Sequence, residues 1–345
     1  MTFKPFNSAA IGGGLSASGT RRLGTLLLSQ LGAGCLPFGA IPAQSGEEVV
    51  RTTFSALHGA GVRYFDVAPM YGLGVAERRL GDCLQQVPRH SVVLSTKVGR
   101  LLEPGPSGGD PLVRYDYSYD GTLRSLEASL GRLRVDAVDI VFIHDVNRRW
   151  HGDEVERRYA EALKGAYVAL AELRSQGRVK AIGVGVNDWT ILERFCADGD
   201  FDCFMLAGRY TLLDYTALES FLPLCLQRRI AVLMAAPFNS GLLASGARAG
   251  ATYFHAHPDP EILERTRRIE AVCDRHSVPI AAAALQFPLA HPAVASVVAG
   301  MSTPIEALAN IRHCSAPIPA AFWQELKHEG LIPEQAPLPD DPVPN

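Results

Sequence analysis

Tyr64-Phe65-Asp66-Val67-Ala68-Pro69-Met70-Tyr71-Gly72 starts as a buried strand, places an acid at the strand's end, and turns through a phenol and a glycine. Two later runs repeat the design. Val92-Val93-Leu94-Ser95-Thr96-Lys97 is apolar until it closes on an ammonium, and Val138-Asp139-Ile140-Val141-Phe142-Ile143-His144 closes on an imidazole. Strands that are apolar almost throughout suit a sheet covered on both faces. Reactive side chains at successive strand ends can then meet at one mouth of a barrel.

Short apolar runs continue along the chain at about 31–36, 62–66, 91–97, 138–144, 178–184, 203–207, 230–235 and 295–299. Amphipathic stretches at 46–60, 74–86, 120–133, 155–176, 188–197, 214–228 and 260–276 separate them. Strands alternating with helices predict a parallel sheet, and eight is the number at which such a sheet closes. The expected fold is α/β, a single (β/α)8 TIM barrel over residues 1–345, with 1–20 and 332–345 disordered. The alternative is an open doubly wound sheet. Against it, Gly12-Gly13-Gly14 precedes any strand and lacks the spacing of a dinucleotide-binding turn. Three long connections, 98–119, 144–154 and 238–259, follow strand C-termini, the face where barrels carry their active sites.

Composition narrows the function. The net charge is −3 and no basic run stands out, so nucleic acid is not an implied partner. Seven cysteines without CxxC spacing fit reduced, buried thiols in a cytoplasmic protein. No run approaches the roughly 20 apolar residues that span a bilayer. Leu26-Leu27-Leu28 after Arg21-Arg22 looks superficially like a leader, but it breaks at Ser29-Gln30 and runs into the first barrel strand. His255 and His257 lie near Asp259 without a third ligand, so no metal site is expected.

The chemistry follows from Asp66, Tyr71, Lys97 and His144. A free phenol has a pKa of about 10, too high to exchange protons well near neutrality. An ammonium such as Lys97 lowers it by favouring the phenolate, and Asp66 can hold that ammonium in place. His144 can donate a hydrogen bond to the substrate oxygen, or relay a proton to Tyr71. Such a group is a base in alcohol oxidation and an acid in carbonyl reduction. Each residue alone reads more simply as an ion pair, a packed ring or a core histidine. Their joint occurrence on consecutive strands argues for catalysis.

These segments resemble the aldo-keto reductase family over about residues 25–315. Asp66 to Gly72 is similar to its D-x-A-x-x-Y-G segment, Ser95-Thr96-Lys97 to its strand-ending lysine, and Ile143-His144 to its histidine. Ser129-Leu130-Gly131-Arg132-Leu133 and Ala181-Ile182-Gly183-Val184-Gly185 resemble two further signatures. The resemblance implies a barrel that binds a nicotinamide cofactor, with the tetrad as catalytic residues and Asp66 also near the cofactor. Gly34, Cys35 and Leu36 fall where the first strand meets the cofactor. Pro237, Asn239, Ser240, Gly241 and Leu242 fall in the loop over the pyrophosphate. Gly300, Ser302, Glu306 and Asn310 fall at the adenosine end. Family members often use Ser and Asn after strand five, Gln on strand six and an aromatic on strand seven around the nicotinamide. Here those places hold Gly185, Val186, Ala207 and Ala235, which leaves Asn187 as the candidate grip. NADP-dependent relatives carry cations near Gly300 and Glu306. An acid there repels a 2′-phosphate and favours NAD, with NADP as the alternative. The simpler reading of Glu306 is an acid at a helix start.

Gly74-Val75-Ala76-Glu77, Thr96-Lys97-Val98-Gly99-Arg100 and Gly208-Arg209-Tyr210-Thr211-Leu212-Leu213-Asp214 resemble the family's sugar-oxidising branch. That likeness implies C1 oxidation of a free aldose of the L-fucose, D-arabinose or L-galactose type, as by a D-threo-aldose 1-dehydrogenase. The same branch includes oxidation of pyridoxal. Candidate substrate contacts are Tyr71, His144, Asp145, Trp150, Arg114, Tyr115, Tyr117 and Arg209. An NADPH-dependent carbonyl reductase and a cofactor-sensing regulatory subunit remain the other readings. The expected partner is a small sugar or aldehyde, for a monomer or small homo-oligomer.

Overall fold

The computed structural model describes residues 15–106 and 109–339. Eight parallel strands close a barrel. They are β3 (Leu31–Gly34), β4 (Tyr64–Asp66), β5 (Val93–Val98), β8 (Ile140–His144), β9 (Ala181–Val186), β10 (Cys203–Ala207), β11 (Ala231–Ala235) and β12 (Val294–Gly300), neighbours in that order, with β12 pairing back to β3. Two antiparallel hairpins accompany them, β1 (Thr20–Leu23) with β2 (Leu26–Ser29), and β6 (Arg100–Glu103) with β7 (Leu112–Tyr115). The expected (β/α)8 class is the observed one, and each expected strand lies on a barrel strand.

Two apolar layers hold the barrel. The outer one lies between strands and helices, where Phe65, Leu94, Val141, Ile143, Ile182 and Phe204 are buried. The lumen is filled by Tyr64, Phe142, Met205 and Leu233, with Leu23, Leu26 and Leu28 beneath them. Large side chains need small partners across a lumen. A Cβ at Gly183 would come within 2.2 Å of the Cys203 carbonyl oxygen and 2.9 Å of the Phe142 ring.

Several expectations are corrected. Leu26–Leu28, which does lead into the barrel strand at Leu31, belongs to a strand of its own, half of the β1–β2 hairpin that plugs the barrel floor. Residues 15–20 are packed, with Ala17 buried, and so is the tail as far as 339, with Ile332, Ala336 and Leu338 buried. Residues 1–14 (and the Gly12-Gly13-Gly14 run), Ser107-Gly108 and 340–345 lie outside the described residues. The expected helix at 214–228 shrinks to Phe221–Arg228. The Thr211 hydroxyl accepts the N–H groups of Leu213 and Asp214, and the Asp214 carboxylate accepts that of Thr216, so side chains take the place of helical bonds. Helices Ile280–Leu289 and Ala320–His328 are additions to the expected set, and Pro304–Cys314 is the helix whose start Glu306 suggests. The first is buried on every side and shows no amphipathic period.

Candidate active site

Parallel register decides which side chains meet. Gly34 pairs with Asp66, Asp66 with Ser95, Lys97 with Phe142, and His144 with Gly185. Side chains two apart on a strand share a face. Asp66, Ser95, Lys97 and His144 therefore line the upper rim of the lumen, above Tyr64 and Phe142. Tyr71 joins them from the turn after β4. Gly72 permits that turn at φ +60, pressed so closely on Gly39 that a Cβ would lie 2.4 Å from its carbonyl oxygen.

The Lys97 Nζ donates to Asp66 Oδ2 at 2.5 Å and to the Val67 carbonyl at 3.1 Å. The Ser95 hydroxyl donates to Asp66 Oδ1 at 2.6 Å and is itself bonded to the Tyr64 hydroxyl at 2.9 Å. Asp66 and Lys97 are each 2% exposed. An ion pair this deep repays its desolvation only when its remaining lone pairs and protons are also bonded, which is the arrangement found. Burial alone would lower the Lys97 pKa; the Asp66 carboxylate more than reverses that and keeps the ammonium charged.

Lys97 Nζ stands 5.0 Å from the Tyr71 ring centroid. Burial nevertheless pushes the Tyr71 phenol up to about 12, with Lys97 pulling it down and Asp66 pushing it up. The expected lowering by Lys97 is thus present but outweighed, and Tyr71 carries its proton at neutral pH. The His144 ring meets Tyr71 edge-on at 6.4 Å. Burial, with Arg100 and Lys97 nearby, holds the imidazole well below its usual pKa and hence neutral. Its Nδ1 is buried without a partner, whereas Nε2 lies 3.3 Å from Asp145 Oδ2. An orphaned donor costs more than an orphaned acceptor lone pair, so the hydrogen-bond pattern places the single proton on Nε2.

The other predicted substrate contacts separate. Asp145 follows His144 in a left-handed conformation, φ +54, and accepts from Arg100 Nη2 at 2.5 Å. Trp150, on the short helix Arg148–His151, is 44% exposed with the Arg100 guanidinium 4.3 Å from its ring centroid. Tyr115 flanks the same guanidinium at 5.4 Å. Tyr117 is corrected: its ring is buried and its hydroxyl donates to the His144 carbonyl at 2.8 Å, leaving nothing for substrate. Arg114 is also corrected, because it is exposed on the β6–β7 hairpin and paired with Glu103 and Asp116. Arg209 bonds the Asn187 carbonyl and Asp214 and lies over Phe254.

A nicotinamide cofactor fits the residues around this rim. Asn239 is buried and its Oδ1 has no partner, an acceptor waiting for a donor such as a ribose hydroxyl or a carboxamide N–H. Asn239, Ser240 and Gly241 run consecutively left-handed and open the short helix Leu242–Ser245. Asn187 Oδ1 is taken by Asn147 Nδ2 at 3.1 Å, which aims the Asn187 amide as a donor. A Cβ at Gly185 would lie 3.7 Å from Lys97 Cε, so that glycine leaves room beside the lysine. Gly34, Gly300 and Ser302 keep some exposure, and Leu36 lies outside on the surface. The side chains of Cys35, Pro237, Leu242 and Asn310 are buried; any contact of Cys35 or Leu242 with the cofactor is through the backbone. Glu306 is an acid at a helix start, and its charge also stands in the segment expected at the adenosine end of the cofactor. Thr303 caps the helix, and the Glu306 carboxylate accepts the Ser302 N–H at 2.6 Å.

Three site residues escaped the sequence reading. Ser95 was legible as the residue two before Lys97 on the same strand face. Arg100 ends a segment that resembles the sugar-oxidising branch but was assigned no role, and Asn147 gave no local signal, since an amide in a connection is usually solvated. Among the described residues no group of three or more His, Cys, Asp or Glu is placed to hold a metal, and no helix is long and apolar enough to cross a membrane.

The sequence profile of the aldo/keto reductase family matches residues 30–329. Pyridoxal 4-dehydrogenase of Microbacterium luteolum is 39% identical over 92% of this chain and 99% of its own length. D-threo-aldose 1-dehydrogenase of a Pseudomonas species is 38% identical over 89% and 96%. L-galactose dehydrogenase of Arabidopsis thaliana is 28% identical over 81% and 82%. Among solved structures, an aldo-keto reductase of Bacillus halodurans in its holo form superposes with a TM-score of 0.71 at 25% identity, covering 92% of this chain and 98% of its own.

Proposed function

The chain belongs to the aldo/keto reductase family, and from that premise we propose that it oxidises free aldoses of the L-fucose, D-arabinose or L-galactose type at C1, with NAD as the preferred cofactor. The substrate is the cyclic hemiacetal. Loss of a hydride from C1 and a proton from the C1 hydroxyl turns it into a lactone. The observation that carries the reading is the rim itself, where the Tyr71 phenol, the Lys97–Asp66 pair and the Nε2–H of a neutral His144 converge. A relative named for the same aldose chemistry adds support.

Tyr71, in its phenolate form, takes the hydroxyl proton as the C1–O bond gains double-bond character and becomes the phenol. Lys97, held by Asp66, stabilises that phenolate before the transfer. His144 donates from Nε2 to the same oxygen and orients it. The nicotinamide, when bound, supplies the acceptor for the hydride. Asn187, Asn239, Ser240, Gly241, Gly34, Gly300 and Ser302 are the groups that would hold the cofactor. The preference for NAD rests on the 302–306 segment, where the carboxylate of Glu306 sits on the Ser302 N–H and repels a 2′-phosphate.

Pyridoxal is the second reading, favoured by the exposed Trp150 ring beside the site and by the relative named for it. Pyridoxal carries a hydroxymethyl group beside its aldehyde and also closes into a cyclic hemiacetal, so one mechanism serves both. We place the protein in the cytoplasm, in keeping with its seven buried thiols, as a monomer or small homo-oligomer.

Product analysis tests the proposal. L-fucose with NAD should yield one lactone, trapped as its hydroxamate, per NADH formed. The Tyr71→Phe variant should lose about 100- to 10,000-fold in turnover while still binding cofactor by fluorescence quenching. Near-wild-type kcat in that variant would remove Tyr71 from the proton transfer.

A further inference from the structure

Asp145 and Arg100 form a buried ion pair that the proton-transfer chemistry does not use. Elsewhere the same kind of pair is fully consumed by the fold. Glu77, completely buried, gives one oxygen to the Thr96 hydroxyl at 2.8 Å and the other to Arg132 Nε at 2.6 Å, tying β5 to two helices. Nothing of Glu77 is left for a ligand.

Asp145 differs on three counts. Its Oδ2 is bonded to Arg100 and lies 3.3 Å from His144 Nε2, but among the described residues its Oδ1 accepts no hydrogen bond. Its side chain keeps 17% exposure, at the mouth rather than behind it. Its backbone is left-handed at φ +54, a conformation that aspartate adopts more readily than most residues other than glycine.

Arg100 is as telling. It is 3% exposed, Asp145 accepts its one side-chain hydrogen bond among the described residues, and its Nε is buried without a partner. A guanidinium has five N–H donors, so most of its bonding capacity goes unmet here. For stability alone, an apolar residue of similar volume serves as well or better. Gly99 puts the arginine there: at φ +97 it starts the β6–β7 hairpin, and a Cβ would lie 2.2 Å from the Tyr117 ring. Trp150 and Tyr115 then flank the cation.

We propose that Asp145, fixed by Arg100, accepts a hydrogen bond from the substrate hydroxyl next to the reacting carbon, and so selects hemiacetals that carry one. The inference rests on the hemiacetal-oxidising reading above and names its selectivity. His144 Nε2 and Asp145 lie side by side, as do the oxygens on neighbouring carbons of a sugar. A carboxylate accepts and cannot donate, so a substrate with only an acceptor or an anion at that place is rejected. The C2 hydroxyl of an aldose satisfies the contact. Arg100 is a positioning residue; it acts through Asp145.

The test compares D-arabinose with 2-deoxy-D-ribose, the same pentose without its C2 hydroxyl, using kcat/KM with NAD. A hydrogen bond to a charged group predicts a wild-type preference for D-arabinose of about 10- to 100-fold. The Asp145→Asn variant should lose several-fold of that preference. The double variant Arg100→Met/Asp145→Gly, in which glycine suits the left-handed turn and no charge is stranded, should reduce it to about threefold or less. Damage to the fold lowers both sugars together and leaves the ratio unchanged, so the ratio separates recognition from structure. Equal wild-type use of the two sugars, or a ratio kept in both variants, overturns the proposal. A wild-type protein that turns over neither of these sugars, nor L-fucose or L-galactose, overturns the aldose reading beneath it as well.

Discussion

Replacing Lys97 by methionine separates what the lysine does for the fold from what it does for the reaction. The substitution leaves the Asp66 carboxylate 3% exposed, with the Ser95 hydroxyl on Oδ1 but no cation. Stranding one member of a buried pair costs about 3–5 kcal/mol. The double variant Asp66→Asn/Lys97→Met removes both charges and should regain most of that loss. The reaction should not recover with it. Taking the 5.0 Å from Nζ to the Tyr71 ring centroid as the charge separation, an ammonium is worth about 3 kcal/mol to a phenolate for an effective dielectric near 20. Without it the phenolate fraction at a given pH falls by about 100-fold in the single variant; in the double variant the fall is smaller, because the Asp66 charge that opposes the phenolate is gone too, but activity stays well below wild type. Urea unfolding followed by circular dichroism gives the stability, and initial rates of NADH formation give the activity. If activity returned together with stability in the double variant, Lys97 would be a structural residue and the role assigned to it would be wrong.

Oxidation should quicken with pH. Tyr71 is protonated below a pKa raised to about 12, so each step of one pH unit from 7 to 9 should raise kcat/KM about tenfold, while the reverse reduction, which uses the phenol as acid, stays flat. His144 is held neutral, so no ionisation near 6.5 should appear in either profile; an inflection there would refute that assignment. Glu306→Lys removes the acceptor from the Ser302 N–H. It should cost about 1 kcal/mol in urea unfolding and raise the NADP-to-NAD ratio of kcat/KM about tenfold; an unchanged ratio would show that Glu306 does not govern the cofactor. Gly183→Ala places a methyl 2.2 Å from the Cys203 carbonyl oxygen and should destabilise by about 1–3 kcal/mol, with a wild-type unfolding midpoint as the contrary result.

The barrel was legible because its strands are apolar on both faces and each closes at a turn. Asp66, Lys97 and His144 end three such runs, so register alone could bring them together. What the sequence hid depends on contacts between distant segments. The β1–β2 hairpin looks like a leader until Leu23, Leu26 and Leu28 are seen under the lumen. Ile280–Leu289 lacks a polar face and so lacks a helical period. Tyr117 looked as available as Tyr115, and only the packing shows its hydroxyl bonded to the His144 carbonyl. Arg100 became notable once its burial against Asp145 and Trp150 was visible. The sign of the Tyr71 shift also needed the structure, because the spacing reveals a neighbouring ammonium but not the depth of burial that outweighs it.

The most direct measurement is the initial rate of absorbance gain at 340 nm for the purified protein with L-fucose, D-arabinose, L-galactose and pyridoxal, each with NAD and with NADP. Turnover of at least one of the sugars is expected, faster with NAD than with NADP. Activity on pyridoxal alone would keep the hemiacetal mechanism and replace the substrate. No oxidation of any of the four, in protein that still binds cofactor, would contradict the dehydrogenase reading and favour a carbonyl reductase or a cofactor sensor.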